Sequence, residues 1–362
     1  MDAAVAILQQ RVREAMHAGT PLRIRAGSSK DFYGNACSGE RLDPRSHTGI
    51  VAYEPSELVV TARAGTPLAE LEATLDASRQ MLAFEPPHFG TGATIGGCVA
   101  AGLSGPRRAS AGAVRDFVLG ATLLSGRAEI AAFGGTAMKN VAGYDVSRLL
   151  AGSLGVLGVI LEVSLKVIPK PATEATLRFE MDQHSALQCM NAWGGQPLPV
   201  SATAWNGATG TGTGTGILHV RLSGARAAVA AACSRLGGER LDEAGAVCFW
   251  HALREHGDPY FADDAPLWRL GLPATSAPLE FDGPQLIEWG GAQRWLRTHA
   301  AAAAVREQAR TRGGDATLFR GGTGEHDVFT PLAAPIAAIH RRLKAEFDPA
   351  GILNPGRLYP EL

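Results

Sequence analysis

"GTGATIGGCVAAG", residues 90–102, places glycine at 90, 92, 96, 97 and 102, and its only polar side chains are two threonines and one cysteine. Glycine inside a regular element costs about 0.5–1 kcal/mol relative to alanine, so this density calls for a physical reason, and close approach of the backbone to something is the best one. Three readings compete. One is a surface loop running into a tightly packed small-residue helix. Another is a nicotinamide-type dinucleotide fingerprint. The third is a phosphate or flavin loop, in which amides at a helix start face an anion. Spacing argues against the second: no G-x-G-x-x-G follows a strand and opens a helix, and no acid sits about 20 residues on after a strand. A second glycine loop favours the third. "IRAGSSKDFYG" (24–34) follows the strand-like "LRIRAG" (22–27), and Gly27, Ser28 and Ser29 offer consecutive amides and hydroxyls suited to a pyrophosphate.

The surroundings read as a soluble chain of about two domains. It has 362 residues, 46% hydrophobic and 19% charged, with a net charge of −1 and no Lys/Arg-rich run. That balance excludes nucleic acid as a partner. Cys37, Cys98, Cys189, Cys233 and Cys248 are scattered without a CxxC pair, so neither a zinc site nor an iron–sulfur run is written here, and a reducing cytoplasm is expected. The N-terminus carries an acid at position 2 and reads as an amphipathic helix (Val5, Leu8, Val12, Met16, stop at Gly19), not as a signal peptide. The greasiest run, "LLAGSLGVLGVIL" (149–161), is too short to cross a bilayer; any membrane association is expected to be peripheral, through partners at the inner membrane.

Strands and helices alternate through the first half. "GIVAY", "LVVTARAG" and "VILEVSLKVIPKP" are strand-like, the last with Leu161, Val163, Leu165 and Val167 on one face and Glu162, Ser164 and Lys166 on the other. "TPLAELEATLDAS" predicts a helix with Thr66 as N-cap and Pro67 at its first position. A hairpin is expected around Ser125-Gly126. Pro169 and Pro171 mark a domain exit; beyond it, "NGATGTGTGTG" (206–216) reads as a loop between two strands, "ILHVRL" as a strand, and residues 300–310 as a helix.

Four motifs in order, "RAGSSK", "FEPPHFGTGATIGGCVAAGLSGPRRASAGAVRDFVLG", "KNVAGYDVSRLLAGSLGVLGVILEVSLKVIPKP" and "FDPAGILNPGR", resemble the FAD-linked oxidases with a vanillyl-alcohol-oxidase (PCMH-type) FAD domain, and within them the FAD-binding E subunits of bacterial glycolate oxidases. The resemblance spans residues 20–171 and the last thirty. It implies an α+β fold: a two-lobed PCMH-type FAD-binding domain over 1–171, a smaller α+β substrate-cap domain over 172–340, and a C-terminal segment, 341–362, that returns to the FAD domain. It implies that Ala26, Gly27, Ser28, Ser29 and Lys30 wrap the FAD pyrophosphate. Pro86, Pro87 and His88 run beside the flavin. Gly92, Thr94, Ile95, Gly96, Gly97, Ala100, Ala101 and Gly102 form the second FAD loop. Arg115 and Asp116 lead into the framing strand, Gly155, Gly158, Val159 and Ile160 lie near the flavin or adenine, and Asn354 belongs to the returning tail. Leu154 stands where related dehydrogenases usually have Glu, and Ala26 where glycine is common, which requires a negative φ at 26. Neither Cys98 nor His88 occupies a usual attachment position, so the FAD is expected to be non-covalent.

The reaction so implied is oxidation of a small 2-hydroxy acid such as glycolate, which needs a cation for the carboxylate and a base for the hydroxyl proton. Cation candidates are Arg107, Arg108, Arg115 and Lys139, with the "GPRR" pair, and Arg108 in it, foremost; base candidates are His219, His326 and the pair His251/His256. The paired histidines of related 2-hydroxy acid dehydrogenases are missing from the sequence. Two functions therefore stand: a subunit that oxidises glycolate itself, or an FAD-binding assembly and electron-relay subunit whose substrate site lies on a homologous FAD-linked partner. In either, electrons leave through an iron–sulfur subunit. A stand-alone FAD-dependent alcohol or sugar oxidase is a third alternative.

Overall fold

Val5, Leu8 and Val12 recur at helical spacing and are buried along one side of α1 (Ala3–Ala18), together with Ala15; Asp2 caps the helix start and Gly19 ends it at φ +64°. Met16 packs at the edge of that stripe. The computed structural model describes residues 2–135, 144–207, 214–281, 283–321 and 328–362. Its contacts divide into two units, one comprising Met1–Ser104, Gly112–Pro169 and Gly324–Leu362, the other Gly105–Ala111 and Lys170–Thr323. Relative to the boundaries expected at 171 and 340, residues 105–111 go to the second unit and the C-terminal return includes the whole last helix. The reason is local: side chains of 105–111 bond to second-unit strands, whereas Lys344 in that helix bonds to carbonyls of the first unit.

In the first unit α1 leads to β1 (Leu22–Ile24), β2 (Glu40–Leu42), β3 (Ile50–Glu54), β4 (Val59–Arg63), α2 (Leu68–Ala77), β5 (Gln80–Met81) and α3 (Ile95–Ala101). After α4 (Arg108–Ala111), which belongs to the second unit, come α5 (Val114–Phe117), β6 (Val118–Leu124), β7 (Ile130–Gly134), α6 (Tyr144–Leu149), β8 (Val159–Lys166) and β9 (Ile168–Pro169). β1 and β2 pair in parallel, and a five-stranded antiparallel sheet runs β3-β4-β8-β6-β7. The hairpin at Ser125-Gly126 is present as the β6–β7 connection. β8 is central and covered on both faces: Leu161, Val163 and Leu165 are buried as their alternation predicts, but so is Ser164, which exchanges a 2.8 Å hydrogen bond with Thr61 on β4. Thr66 does not cap α2. Its hydroxyl bonds the N–H and C=O of Gly49 instead, and Pro67 sits at the cap without a side-chain bond.

The second unit contains β10 (Thr173–Asp182), α7 (Gln183–Gly194), β11 (Val200–Gly207), β12 (Thr215–Gly224), α8 (Arg226–Leu236), β13 (Glu239–Arg240), α9 (Glu243–Glu255), β14 (Leu267–Gly271), β15 (Gln285–Glu288), β16 (Gln293–Arg297), α10 (Ala302–Thr311) and β17 (Asp315–Arg320). They form one antiparallel eight-stranded sheet in the order β13-β10-β12-β11-β15-β16-β14-β17. One face is apolar: Leu177, Leu218, Val220 and Leu222 pack with residues of α7 and α8, and Trp268, Leu270 and Leu296 with Val305 and Ala309 of α10. Period-two alternation then puts Thr176, Arg178, His219 and Arg221 on the other face, where Trp250 of α9 donates to Thr176. Residues 208–213 of the expected 206–216 loop lie outside the described residues. α11 (Ala334–Phe347) and the tail after it return the chain to the first unit.

Candidate functional site

The first unit carries a cleft whose floor is the turn after β1. Ala26, Gly27, Ser28, Ser29 and Lys30 line one side; Gly92, Thr94, Gly96, Gly97, Ala100 and Ala101 of the glycine segment and α3 line another; Gly155, Gly158, Val159 and Ile160, with Asn354, complete it. Among the described residues the amides of Ala26, Gly27, Ser28 and Ser29 donate to no acceptor, although they lie in a part-buried turn. Four half-buried amides in a row without an acceptor among the described residues are the site's clearest chemical signature. Ala26 keeps a negative φ, and the left-handed residue is Ser28 at φ +62°. A left-handed residue among right-handed ones is the geometry that makes consecutive N–H groups converge on an anion. Lys30 places its ammonium 3.2 Å from the His88 carbonyl and 3.4 Å from the Ser29 hydroxyl, adding positive charge at the end of this row.

The glycines serve the protein more than the cleft. A Cβ on Gly27 would lie 1.4 Å from the Gly92 carbonyl oxygen, and one on Gly92 would lie 2.5 Å from that of Gly27, so the two loops touch backbone to backbone. A Cβ on Gly96 would strike Ala64, and Gly102 ends α3 at φ +66° against the backbone of Gly152. Gly97 and Gly90 are less enclosed: a Cβ on Gly97 would meet just Thr94 Oγ1 at 3.2 Å, and one on Gly90 just Ser29 Cβ at 3.9 Å. The helix start does not face an anion as expected: Ile95 N donates to Thr66 O, Gly96 N to Ala64 O, Gly97 N to Thr94 Oγ1 and Cys98 N to Thr94 O. Every amide of that first turn is spent on protein, because the backbone contacts that need glycine also bring carbonyls within reach. The donors left over are those of the 26–29 turn.

The tail holds two walls of the cleft together. Leu22 N donates to Ile352 O and Asn354 N to Leu22 O, extending β1 by a parallel bridge. Asn354, left-handed at φ +42°, accepts from Ile24 N at 2.7 Å and donates through Nδ2 to Leu154 O at 2.6 Å. Both ends of its amide are thereby taken by protein. Leu154 also sits at positive φ, +50°; its N–H bonds Ala100 O, so its backbone ties the Gly155 loop to α3. Arg357 donates to the carbonyls of Asp31, Tyr33 and Asn35, fixing the turn that follows the free amides. Beneath them the buried Lys344 amine reaches Val156 O, Leu353 O and Asp348.

Other expected cofactor residues are not part of the lining of this cleft. Pro86 and Pro87 are buried in their own turn, and His88 Nε2 is bonded to Glu72 at 2.9 Å. Ile95 is buried in the core, and Gly102 is a helix end. Arg115 is exposed beside Asp116, which caps α5 and pairs with Arg148 at 2.9 Å. Cys98 is sealed, and burial pushes its thiol up to about 12, so it offers no thiolate.

Of the described catalytic candidates, Arg107, Arg108, His219, His251 and His256 fall in the second unit and Arg115 in the first. Arg107 is buried and bonded to Glu174 at 2.5 Å and Ser223 at 3.2 Å; burial would raise the Glu174 carboxyl, but Arg107 and the Ser223 hydroxyl outweigh it and the carboxyl is held below its ordinary value. Arg108 lies with its guanidinium 4.4 Å from the ring centre of Trp289. His219 is buried against the Phe249 ring at 3.9 Å with Nδ1 unpaired, and burial, helped by Arg178, pushes it down to about 4. His256 stacks on Phe261 at 3.8 Å and is also pushed well down by burial and by Arg320, Arg269 and Arg297. His251 is an exposed residue of α9. His326 and Lys139 lie outside the described residues.

A family model described as an FAD binding domain matches residues 4–146. The glycolate oxidase subunit GlcE of Escherichia coli (strain K12) is 46% identical over 361 residues, covering 100% of this chain and 99% of that one. This chain belongs to the GlcE family of glycolate oxidase subunits. The glycolate oxidase subunit GlcD of Bacillus subtilis (strain 168) is 30% identical over 157 residues, 42% of this chain and 33% of its own. In fold the chain is similar to alkyldihydroxyacetonephosphate synthase, with a TM-score of 0.63 at 13% identity over 96% of this chain and 75% of that one.

FAD is the cofactor of this GlcE-family chain, and the cleft suits its pyrophosphate. Four amides without an acceptor among the described residues, with a lysine at their edge, are what a doubly charged, bulky anion requires. Sequence reading missed Arg25, Asp31, Pro44 and Ala64, which also line the cleft. Asp31 pairs with Arg23 and Arg25, and that alternation of charge along "RIRAGSSKD" was the available signal. Pro44 and Ala64 reach the cleft only through the fold.

Proposed function

We propose that this chain is the FAD-binding subunit of a complex that oxidises glycolate to glyoxylate, working beside a homologous FAD-linked subunit and passing electrons to an iron–sulfur subunit. The observation that carries the reading is the row of unpaired amides at Ala26–Ser29 in a chain 46% identical, end to end, to a glycolate oxidase subunit. When bound, non-covalently, FAD supplies the acceptor for the hydride on the carbinol carbon. The 26–29 amides and Lys30 hold the pyrophosphate. Arg108, whose guanidinium lies 4.4 Å from the ring centre of Trp289, is the cation we assign to the substrate carboxylate. The hydroxyl proton needs an acceptor, and His219, pushed down to about 4, is a weak one at neutral pH, as is His256, pushed well down; His326 and His251 are the candidates that remain. No described helix is long and apolar enough to cross a membrane, and we place the chain in the cytoplasm, with any membrane association through its partners.

The low basicity of His219 also favours the second reading, a subunit that holds FAD and relays electrons while the homologous partner holds the substrate. An absorbance spectrum of the purified chain with anaerobic glycolate separates them. A yellow chain that bleaches carries flavin and substrate site together, the expected result. A yellow chain that bleaches only when the partner is added places the substrate there. A chain that stays colourless with added FAD overturns both.

A further inference from the structure

Arg25 and Asp31 bracket the 26–29 turn, and both line the cleft. A carboxylate in that lining is unexpected, because the row of amides and Lys30 suit an anion and Asp31 repels one. Its charge is matched twice. Arg25 Nε meets Asp31 Oδ2 directly, and Arg23 Nη2 stands 3.5 Å from the same oxygen. Arg23 lies in β1 and Arg25 just beyond it, two residues apart, which puts them on one side of an extended backbone.

The two partners of Asp31 are placed differently. Arg25 lines the cleft and Arg23 does not. The backbone at Arg25 is fixed: its N–H donates to Leu42 O at 2.9 Å, its carbonyl accepts from Arg41 Nε at 3.4 Å, and the Ala26 carbonyl accepts from Arg41 Nη2 at 3.3 Å. Asp31 is fixed likewise, its N–H donating to Ser28 O and its carbonyl accepting from Arg357. What can move is the Arg25 side chain, which is 37% exposed and meets Asp31 through Nε. Ion pairs this open to solvent are weak. A phosphate group takes a guanidinium by two parallel N–H bonds, which makes it the stronger partner for Arg25.

We infer that Arg25 is a further cation for the FAD pyrophosphate, kept by Asp31 and exchanged on binding: its guanidinium turns from the carboxylate to the pyrophosphate, and Asp31 retains Arg23. Asp31 thereby lowers the affinity for FAD, since its pair with Arg25 is broken each time the cofactor binds. The inference rests on the reading of this cleft as the pyrophosphate site.

The test titrates FAD into the chain stripped of its flavin and reads Kd from flavin fluorescence, for wild type, Arg25→Gln, Asp31→Asn and the double variant Arg25→Gln/Asp31→Asn. Arg25→Gln should weaken FAD binding at least about tenfold. If it does not fold, Arg25→Lys, which keeps the charge without the fork, should weaken binding at least about threefold. Asp31→Asn should tighten binding at least about fivefold, the opposite of what losing a structural brace would do. Added to Arg25→Gln, Asp31→Asn should change Kd by less than about twofold. Inorganic pyrophosphate, competing with FAD, should bind Arg25→Gln at least about tenfold more weakly than wild type. An unchanged Kd in Arg25→Gln, while wild type binds FAD, overturns this inference alone. So does weaker binding by Asp31→Asn, which marks the ion pair as a brace of the turn. A gain from Asp31→Asn that persists without Arg25 marks simple repulsion and overturns the exchange. A wild-type chain that binds no FAD overturns the reading of the cleft, and this inference with it.

Discussion

His219 shows how burial decides what a residue can do. The residue is 9% exposed, its ring lies tilted against Phe249 at 3.9 Å, and its Nδ1 has no partner among the described residues. A depressed value of about 4 against an ordinary 6.5 means that the unfolded chain binds a proton between those two pH values and the folded chain does not. Folding stability at this position is therefore full above about pH 6.5 and is lost as pH falls toward 4, by about 3 kcal/mol over that window. Urea denaturation of wild type and His219→Gln at pH 7 and pH 4.5 checks this: the variant should show a smaller acid loss, and equal losses would mean that His219 is already protonated in the fold. Position 219 in "ILHVRL" is legible as a strand residue from alternation alone. That its neighbour is Phe249, and that the imidazole is kept neutral, is not, because the ring comes from a helix distant in sequence.

Among the elements, the C-terminal tail does the most with the fewest residues. Asn354 alone links β1 to the Gly155 loop, satisfying Ile24 N and Leu154 O with one side chain. Asn354→Ala leaves both groups unpaired, at about 1–3 kcal/mol each. We expect a melting point lowered by several degrees and FAD released at least tenfold faster, followed by the rise in flavin fluorescence on dilution; an unchanged release rate would mean that the cleft holds its shape without the clasp. The motif "FDPAGILNPGR" is visible in the sequence, and so is its return to the first half as a family expectation. The division of labour within it is not. Asn354 lines the cleft and also bonds Ile24 N and Leu154 O, and Arg357 spends its guanidinium on three carbonyls. Partners at a sequence separation above 300 follow only from the folded topology. α3 teaches the same lesson: its N-terminus looks like an anion site from sequence, and carbonyls from Thr66 and Ala64 take that role away.

Across the whole molecule, each unit has its own apolar cores, one built on α1 and β8, the others on the two ends of the eight-stranded sheet. The cleft is lined by residues of the first unit. A ligand that binds one folded unit stabilises that unit by mass action, about 2.7 kcal/mol at one hundred times Kd. Scanning calorimetry should therefore resolve two transitions, of which added FAD raises one. A single transition moved as a whole would show that the units unfold as one.

What the sequence determined by itself is whatever depends on short range and on composition: helices and strands from period 3.6 and period 2, the turn at 26–29, the glycine segment, and an FAD-binding α+β chain without a spanning helix. Tertiary structure decided which of two glycine loops keeps its amides for an anion and which carbonyls take the amides of the other. The physical reason is that a backbone donor or a guanidinium can be spent only once, and the group it is spent on is brought to it by the fold.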